Sequence, residues 1–478
     1  MIYPLELSQQ IKDHLGEIVL LQMRLLTCAA QEQNMTRALC VRFLDEKDEE
    51  GHFRGRGQAV ANWLWQKGTT SRHRHLELFA QTYCEADAEA RDKERQEKIT
   101  WCRHLEEDVQ ALLRCESVYV NLHGFFASED ERKKLEKQRN KRNTSNVHWK
   151  EHAYRFLLYC YEEFLGDNRA KFNKELFTMS NAVDFGREEW LQMFFEANPE
   201  LEICAFCDEA RYYTYGYNEK QQRYYRHTSI DHYLPKSLYP HLACHPYNLI
   251  PTCHYCNSSI KGEKDPLQQT PGRLNVCTLP YSLHPTTKRH LEMYLNVHIT
   301  NDWRSFIIST LSPYEDLPEL HEAVKQLNML YNLSERWQEP HQLTRISETL
   351  FRRMHQFLGD GKGMPTGFNM TMALYNTLLQ LLYYLSQEDQ RKDPFAFVMT
   401  WMLVTLIKDC IKPCLSPETT ENAQTAAICV RERVHKALME EVSSWFQQSF
   451  EDNQRRNELA EQLLALIPPA NDRKQTFY

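Results

Sequence analysis

Two Cys-x-x-Cys pairs, Cys204/Cys207 and Cys253/Cys256, constrain the middle of this chain more than any other feature. Each spacing lets two thiolates converge on one ion, and two such pairs complete a tetrahedral, all-thiolate zinc site. The competing reading is a chance pairing of buried thiols. Zinc held by four thiolates leaves no position open to water, so the ion would be structural. Such binding supplies about 10–16 kcal/mol of apparent free energy in small peptides, enough to hold together a loop-rich segment with little core.

The remaining cysteines fit the same picture. There are 15 in all, an odd number. Cys28, Cys102, Cys160 and Cys429 read as isolated thiols of helix cores. Cys244 and Cys277 lack partner spacing, and Cys410 and Cys414 are separated by Pro413, so these also read as core. The N-terminus lacks a basic region followed by an apolar run, so the expected compartment is a reducing cytoplasm, where paired cysteines suggest metal. Phe395 to Ile407 is the most apolar stretch. It is shorter than the ~20 residues a bilayer crossing needs and reads as a buried helix, so no membrane association is expected.

At 478 residues the chain is long enough for two or three domains, and 42% hydrophobic residues suffice for a core. Scarce glycine and long charged segments predict a mainly α protein. Leu21, Leu25, Leu26 and Cys28 fall at helical spacing, as do Leu320, Val324 and Leu327, and Val442, Phe446 and Phe450. The segment Gly51 to Gly57 reads as a loop with no phosphate-binding pattern. Arg132 to Arg142 carries seven basic residues against Glu136; it reads as a solvated helix end, the sharper alternative being a phosphate-contacting patch.

Within the central segment, Tyr212, Tyr213, Tyr215 and Tyr217 precede a polar stretch at Asn218, and Tyr224 and Tyr225 follow it. This predicts a β-hairpin whose tyrosines pack rather than stack on bases. Pro235, Pro240, Pro246 and Pro251 punctuate a long loop, and Cys253 to Lys261 predicts a short helix stopped by Gly262. His227, His241, His245 and His254 are expected at the surface or in loops, since no ligand set forms around them.

The residues framed by the cysteines suit phosphodiester hydrolysis. A neutral imidazole takes a proton from water near pH 7, which makes His232 the candidate base. A hard cation neutralises the phosphate and holds the leaving oxygen, and Asp231 and Asn257 offer oxygen donors for it. Asp231-His232, Asn248 and Asn257, flanked by the cysteine pairs, resemble the signature of the HNH nucleases, the ββα-metal or His-Me finger class, in its zinc-clipped variety. The resemblance covers about Ile203 to Leu267.

That resemblance implies roles. His232, on the first strand, would activate water. Asp231 and Asn257 would bind a catalytic Mg²⁺ or Mn²⁺. Asn248 would brace the loop through backbone hydrogen bonds. Lys261 would lie near the scissile phosphate or simply in solvent. The third signature position is Asn257 rather than His, which keeps an oxygen ligand. The expected architecture is a helical N-terminal domain (1–182), a zinc-stabilised ββα-metal module (183–285) and a helical C-terminal domain (286–478).

DNA is the expected substrate, because the family mostly cuts DNA; RNA is a weaker alternative. The net charge is −8, and Leu201 to Leu267 carries seven basic and seven acidic residues, so any grip on nucleic acid must come from local patches, the metal or a protein partner. With large helical additions on both sides, the chain is similar to effector nucleases of bacterial antiphage defence, and the helical domains would bind a partner or regulator. The alternative is a non-catalytic zinc-ribbon binding module in a helical scaffold, which needs the four cysteines but not His232.

Overall fold

The computed structural model describes residues 5–66, 71–81, 87–114, 117–139, 147–165, 176–177, 185–209, 214–218, 223–226, 228–268, 270–279, 281, 295–299, 306–310, 317–342, 345–346, 348–350, 353, 381 and 394–405. Tyr212, Tyr213, His227, Cys410, Cys414, Cys429, Val442, Phe446, Phe450 and residues 140–142 of the basic run lie outside the described residues. The described chain is mainly helical with a few short strands. It divides into two compact units, one of Leu5–Pro199 with Tyr213–Lys288, the other including Glu200–Tyr212 and Arg289–Tyr478.

In the first unit the helices are α1 (Gln9–Glu32), α2 (Arg37–Arg42), α3 (Gly57–Leu64), α4 (Ser71–Ala80) and α5 (Ala88–Arg114). Strand β1 (Tyr119–Asn121), α6 (Glu129–Arg139), α7 (Trp149–Leu165) and α8 (Arg187–Ala197) follow. Ser8 starts α1 by accepting the Ile11 N–H on its hydroxyl at 3.3 Å. Ile11, Leu15, Ile18, Leu21, Leu25, Leu26 and Cys28 are buried, so α1 runs through the core. On α5 the buried set Trp101, Leu105, Asp108, Val109 and Leu112 marks one face, while its outer face is charged. Lys98 of α5 is buried with its ammonium on the Phe79 and Gln81 carbonyls at 2.8 and 2.9 Å, which satisfies the end of α4. Burial pulls its pKa down, against the pull of Glu94 3.0 Å away.

The Gly51–Gly57 loop has a packing role. Asp45 accepts the N–H groups of Gly55 and Gly57 at 2.8 and 3.0 Å. A Cβ at Gly57 would stand 2.7 Å from the Val41 carbonyl oxygen, so α2 and α3 approach at glycine distance. The basic run on α6 is an exposed helix face; Arg132 pairs with Glu129 and, at 3.4 Å, with Glu136.

The same unit carries β2 (Thr214–Asn218), β3 (Arg223–Arg226), β4 (Ser229–His232), β5 (Leu249–Thr252) and β6 (Arg273–Asn275). β2 and β3 pair antiparallel, as the tyrosine pattern predicts. β1 pairs β6, and β4 pairs β5, both antiparallel. Sequence places a domain boundary near residue 182, yet 213–288 share a compact unit with the N-terminal helices. The physical reason is the loop between β4 and β5, which packs its short helical turns Pro240–Leu242 and Pro246–Asn248 on α1, with Pro240–Leu242 also against α5 and α7.

That packing decides between two expected places. His241 and His245 lie in the loop and are fully buried, not at the surface. His241 sits on the Asp108 carboxylate at 3.2 Å, and the His245 ring nitrogen Nδ1 accepts the Tyr247 N–H at 3.2 Å. His254 is exposed as expected.

The other unit holds β7 (Leu295–Ile299), β8 (Phe306–Thr310), α9 (Pro318–Tyr331), α10 (Leu333–Gln338) and α11 (Ala396–Thr405). β7 and β8 form an antiparallel pair. Leu320, Val324 and Leu327 are buried on α9, and α11 is buried from Ala396 to Leu403. Among the described residues no helix is long and apolar enough to cross a membrane.

Candidate functional site

The central segment runs strand, loop, strand, helix. Ile230 and the β-branched Thr252 suit extended backbone, and the register sets Ser229 opposite Thr252 and His232 opposite Leu249. Asp231 and His232 therefore end the first strand. The long loop returns through Asn248, which stands immediately before β5.

Asn248 is fully buried and joins the two ends of that loop. Its Oδ1 accepts the Leu234 N–H at 2.6 Å, while its Nδ2 donates to the Leu234 and Leu242 carbonyls at 3.1 and 2.9 Å. Its own carbonyl accepts the Tyr233 N–H at 2.9 Å. A side-chain amide has one acceptor oxygen and two donor hydrogens, which matches this set.

His232 is 8% exposed. Its Nε2 lies 3.1 Å from the Ala243 carbonyl oxygen. A carbonyl only accepts, so Nε2 carries the hydrogen and the lone pair falls on Nδ1. The Tyr161 ring of α7 meets the imidazole edge-on, centroids 4.7 Å apart. Burial above all, then the positive charges of Lys236 and Lys261, lower the imidazole pKa to about 3, against the pull of the Ala243 carbonyl. The ring is therefore neutral at pH 7, with a basic nitrogen fixed in identity.

Asp231 is 3% exposed and Lys261 is 2% exposed. The Lys261 ammonium donates to Asp231 Oδ1 at 3.1 Å and to the His232 carbonyl at 2.7 Å. The expectation that Lys261 lies in solvent fails, because β4 supplies this side chain with a carboxylate and a carbonyl inside the fold. Lys261 ends a wide, π-type helix, Tyr255–Lys261, which Gly262 terminates at φ 50° with its N–H on the Asn257 carbonyl. Asn257 lies four residues before Lys261 on this helix and is half-buried. The structure thus joins Asp231, His232 and Lys261 by direct bonds. It ties Asn248 to the loop and places Asn257 on the helix that ends at Lys261.

The four cysteine Sγ atoms, from Cys204, Cys207, Cys253 and Cys256, all lie within 4.8 Å of one another, and all four residues are buried. Tetrahedral zinc at 2.3 Å from each sulfur needs sulfurs about 3.8 Å apart, so the set fits a metal such as zinc. The Cys256 N–H points to Cys253 Sγ at 3.4 Å, a contact that favours the thiolate.

Residues distant in sequence hold the first pair. The Trp337 indole of α10 donates to the Cys207 carbonyl at 3.2 Å. Asp208, at φ 57°, accepts the Val398 N–H at 3.2 Å in the first turn of α11, where an anion is favoured. Glu209 meets Arg336, and its other oxygen accepts from Gln342 at 2.7 Å. No local motif signals Tyr161, Ala243, Trp337 or Asp208, because each contact involves a backbone group or a ring rather than a matched pair of side-chain functions.

No protein-family model, no curated protein and no solved structure matches the chain.

Proposed function

We propose that this protein is a metal-dependent HNH-type endonuclease that hydrolyses phosphodiester bonds in DNA. One observation carries the reading. His232 ends the first strand of a strand–strand–helix segment, and its Nε2 faces the Ala243 carbonyl, which leaves Nδ1 as the base. A neutral imidazole so held can take a proton from an attacking water. The low pKa weakens it as a base at equilibrium but keeps it unprotonated.

Asp231 and Asn257 would hold the catalytic Mg²⁺ or Mn²⁺, which when bound neutralises the phosphate and the leaving oxygen. Asp231 has a free choice of cation only once the Lys261 ammonium shares or vacates Oδ1. Asn248 keeps Leu234 and Leu242 in place, and through them the turn that carries Ala243. Zinc on the four thiolates would be structural. Action within the cytoplasm as an antiphage effector, with a partner or trigger bound by the helical regions, is the role suggested by resemblance to stand-alone nucleases with helical additions.

The Lys261–Asp231 pair also favours the second reading, a zinc-ribbon binding module without catalysis, since a protein cation already neutralises the carboxylate. The deciding experiment incubates the full chain with supercoiled plasmid, and with matched DNA and RNA oligonucleotides, in Mg²⁺, Mn²⁺ or a chelator. Divalent-dependent nicking of DNA supports the nuclease. Intact DNA and RNA under every condition would leave only the binding module.

A further inference from the structure

Away from the cysteines, α5 and the chain after β1 bring three metal-ligating side chains together. His104 and Glu107 are one turn apart on α5, and His123 follows β1 by two residues. One ligand atom from each lies within 4.8 Å of the other two. His123 Nε2 stands 3.0 Å from Glu107 Oε2. The His104 and His123 rings stack nearly parallel, 6° apart in plane with centroids 4.3 Å apart. Ligands 2.0–2.1 Å from one tetrahedral ion sit about 3.4 Å from each other, so the donor atoms are close enough to chelate once one imidazole turns out of the parallel stack and both lone pairs aim at one point.

The backbone under His123 is built, not loose. Buried Asp108, next to Glu107 on α5, accepts the His123 and Gly124 N–H groups at 2.7 and 2.9 Å. Gly124 takes φ 77° there, a conformation open to glycine. Trp101, on the same helix, donates its indole N–H to the Phe125 carbonyl at 3.1 Å. His241 also meets Asp108, at the oxygen that accepts the Gly124 N–H, 3.2 Å away. One helix therefore supplies two of the ligands and also fixes the segment that supplies the third. His104 is half-buried and the other two are exposed, so an ion has direct entry. Arg103 lies 3.9 Å from the other Glu107 oxygen and does not occupy the shared space.

From this geometry we infer that His104, Glu107 and His123 form a second metal site, for a divalent first-row transition ion of the zinc class, with one position left for water. Two imidazoles and a carboxylate select such ions over Mg²⁺ or Ca²⁺. Three protein ligands leave a coordination position that four thiolates do not. The inference is independent of the proposed nuclease and of the four-cysteine cluster.

The test is calorimetric titration of Zn²⁺ into the full-length protein as purified, after its zinc content is measured. Wild type is compared with His104→Gln, Glu107→Gln and His123→Gln, all near the surface and expected to fold. His52→Gln is the control, an exposed His with one carboxylate partner, Glu50, at 2.8 Å. Wild type and His52→Gln should bind one further zinc per chain. Each of the three variants should weaken that event by more than about tenfold, beyond the lower range for losing a mere supporting contact, with the starting zinc content unchanged. Equal titrations for wild type and all three variants, or no further zinc in wild type, would overturn the assignment.

Discussion

Replacing Lys261 with Met tests the buried pair at the centre of the site. Its ammonium lies 3.1 Å from Asp231 Oδ1, and the two side chains are almost wholly out of water. At an effective dielectric of about 20 the attraction is about 5 kcal/mol before desolvation. The pair therefore nets little, but breaking it takes the Lys261 cation from the buried Asp231 carboxylate and a donor from the His232 carbonyl. Removing one partner of a buried pair costs about 3–5 kcal/mol. Lys261→Met should lose that much stability in urea denaturation. Amide exchange at Tyr233 and Leu234, whose N–H groups rest on Asn248, should accelerate with it. The double variant Asp231→Asn/Lys261→Met removes both charges and should recover to within about 2 kcal/mol of wild type, since an ion pair exchanged for neutral groups is nearly balanced. Saturating Mg²⁺ should also restore part of the single variant's loss, because a cation again faces Asp231. A cost under about 1 kcal/mol for Lys261→Met, with no recovery in the double variant, would refute the reasoning.

Other outcomes follow from the same packing. Asn248→Ala takes the side-chain partner from the Leu234 N–H and carbonyl, while the Leu242 carbonyl keeps the His245 N–H at 3.0 Å, and should cost about 2–4 kcal/mol by denaturation, at about 1–3 kcal/mol per buried group with partial relaxation; a loss below about 1 kcal/mol would contradict its bracing role. Gly57→Ala should destabilise by about 1–3 kcal/mol, since the added carbon meets the Val41 carbonyl, and an unchanged melting temperature would show that α2 and α3 can part freely. Burial lowers the pKa of His14 to about 3, of His152 to about 4 and of His245 to about 3. Unfolded imidazoles bind a proton near pH 6.5 and these folded ones refuse it, so stability is full above pH 7 and falls as pH drops through 6.5 towards 4. At pH 5 the loss is about 2 kcal/mol for each of the three. A flat stability profile from pH 7 to 5 would mean these rings gain protons without unfolding.

What sequence could reveal was local. Each Cys-x-x-Cys turn is set by its own few residues, and their convergence follows from sulfur chemistry, so the cluster was legible. So were the pairing of Thr214–Asn218 with Arg223–Arg226, announced by aromatic runs, and the helix ended by Gly262, where a glycine stop acts within one turn of chain. That Asn248 braces the loop was legible only as an implication of the family resemblance, not from its own neighbours in sequence. Burial by distant elements was not legible. His241, His245 and Lys261 are polar residues in a proline-punctuated segment, and only the packing of that segment on neighbouring helices and on β4 takes them out of water. The anchoring of Cys207 and Asp208 by Trp337 and α11 spans well over a hundred residues and uses backbone groups, which leave no residue-type signal. The His104, Glu107 and His123 grouping was missed for a like reason, since a strand and a turn bring the third ligand back to the helix.

The measurement that bears most directly on the whole account is single-turnover nicking of supercoiled DNA by wild type and His232→Ala, with zinc content and amide exchange recorded for both. The account predicts metal-dependent nicking that falls about 10²–10⁴-fold in the variant, the range for a lost general base, while zinc content stays unchanged. Equal nicking by the two proteins would contradict it.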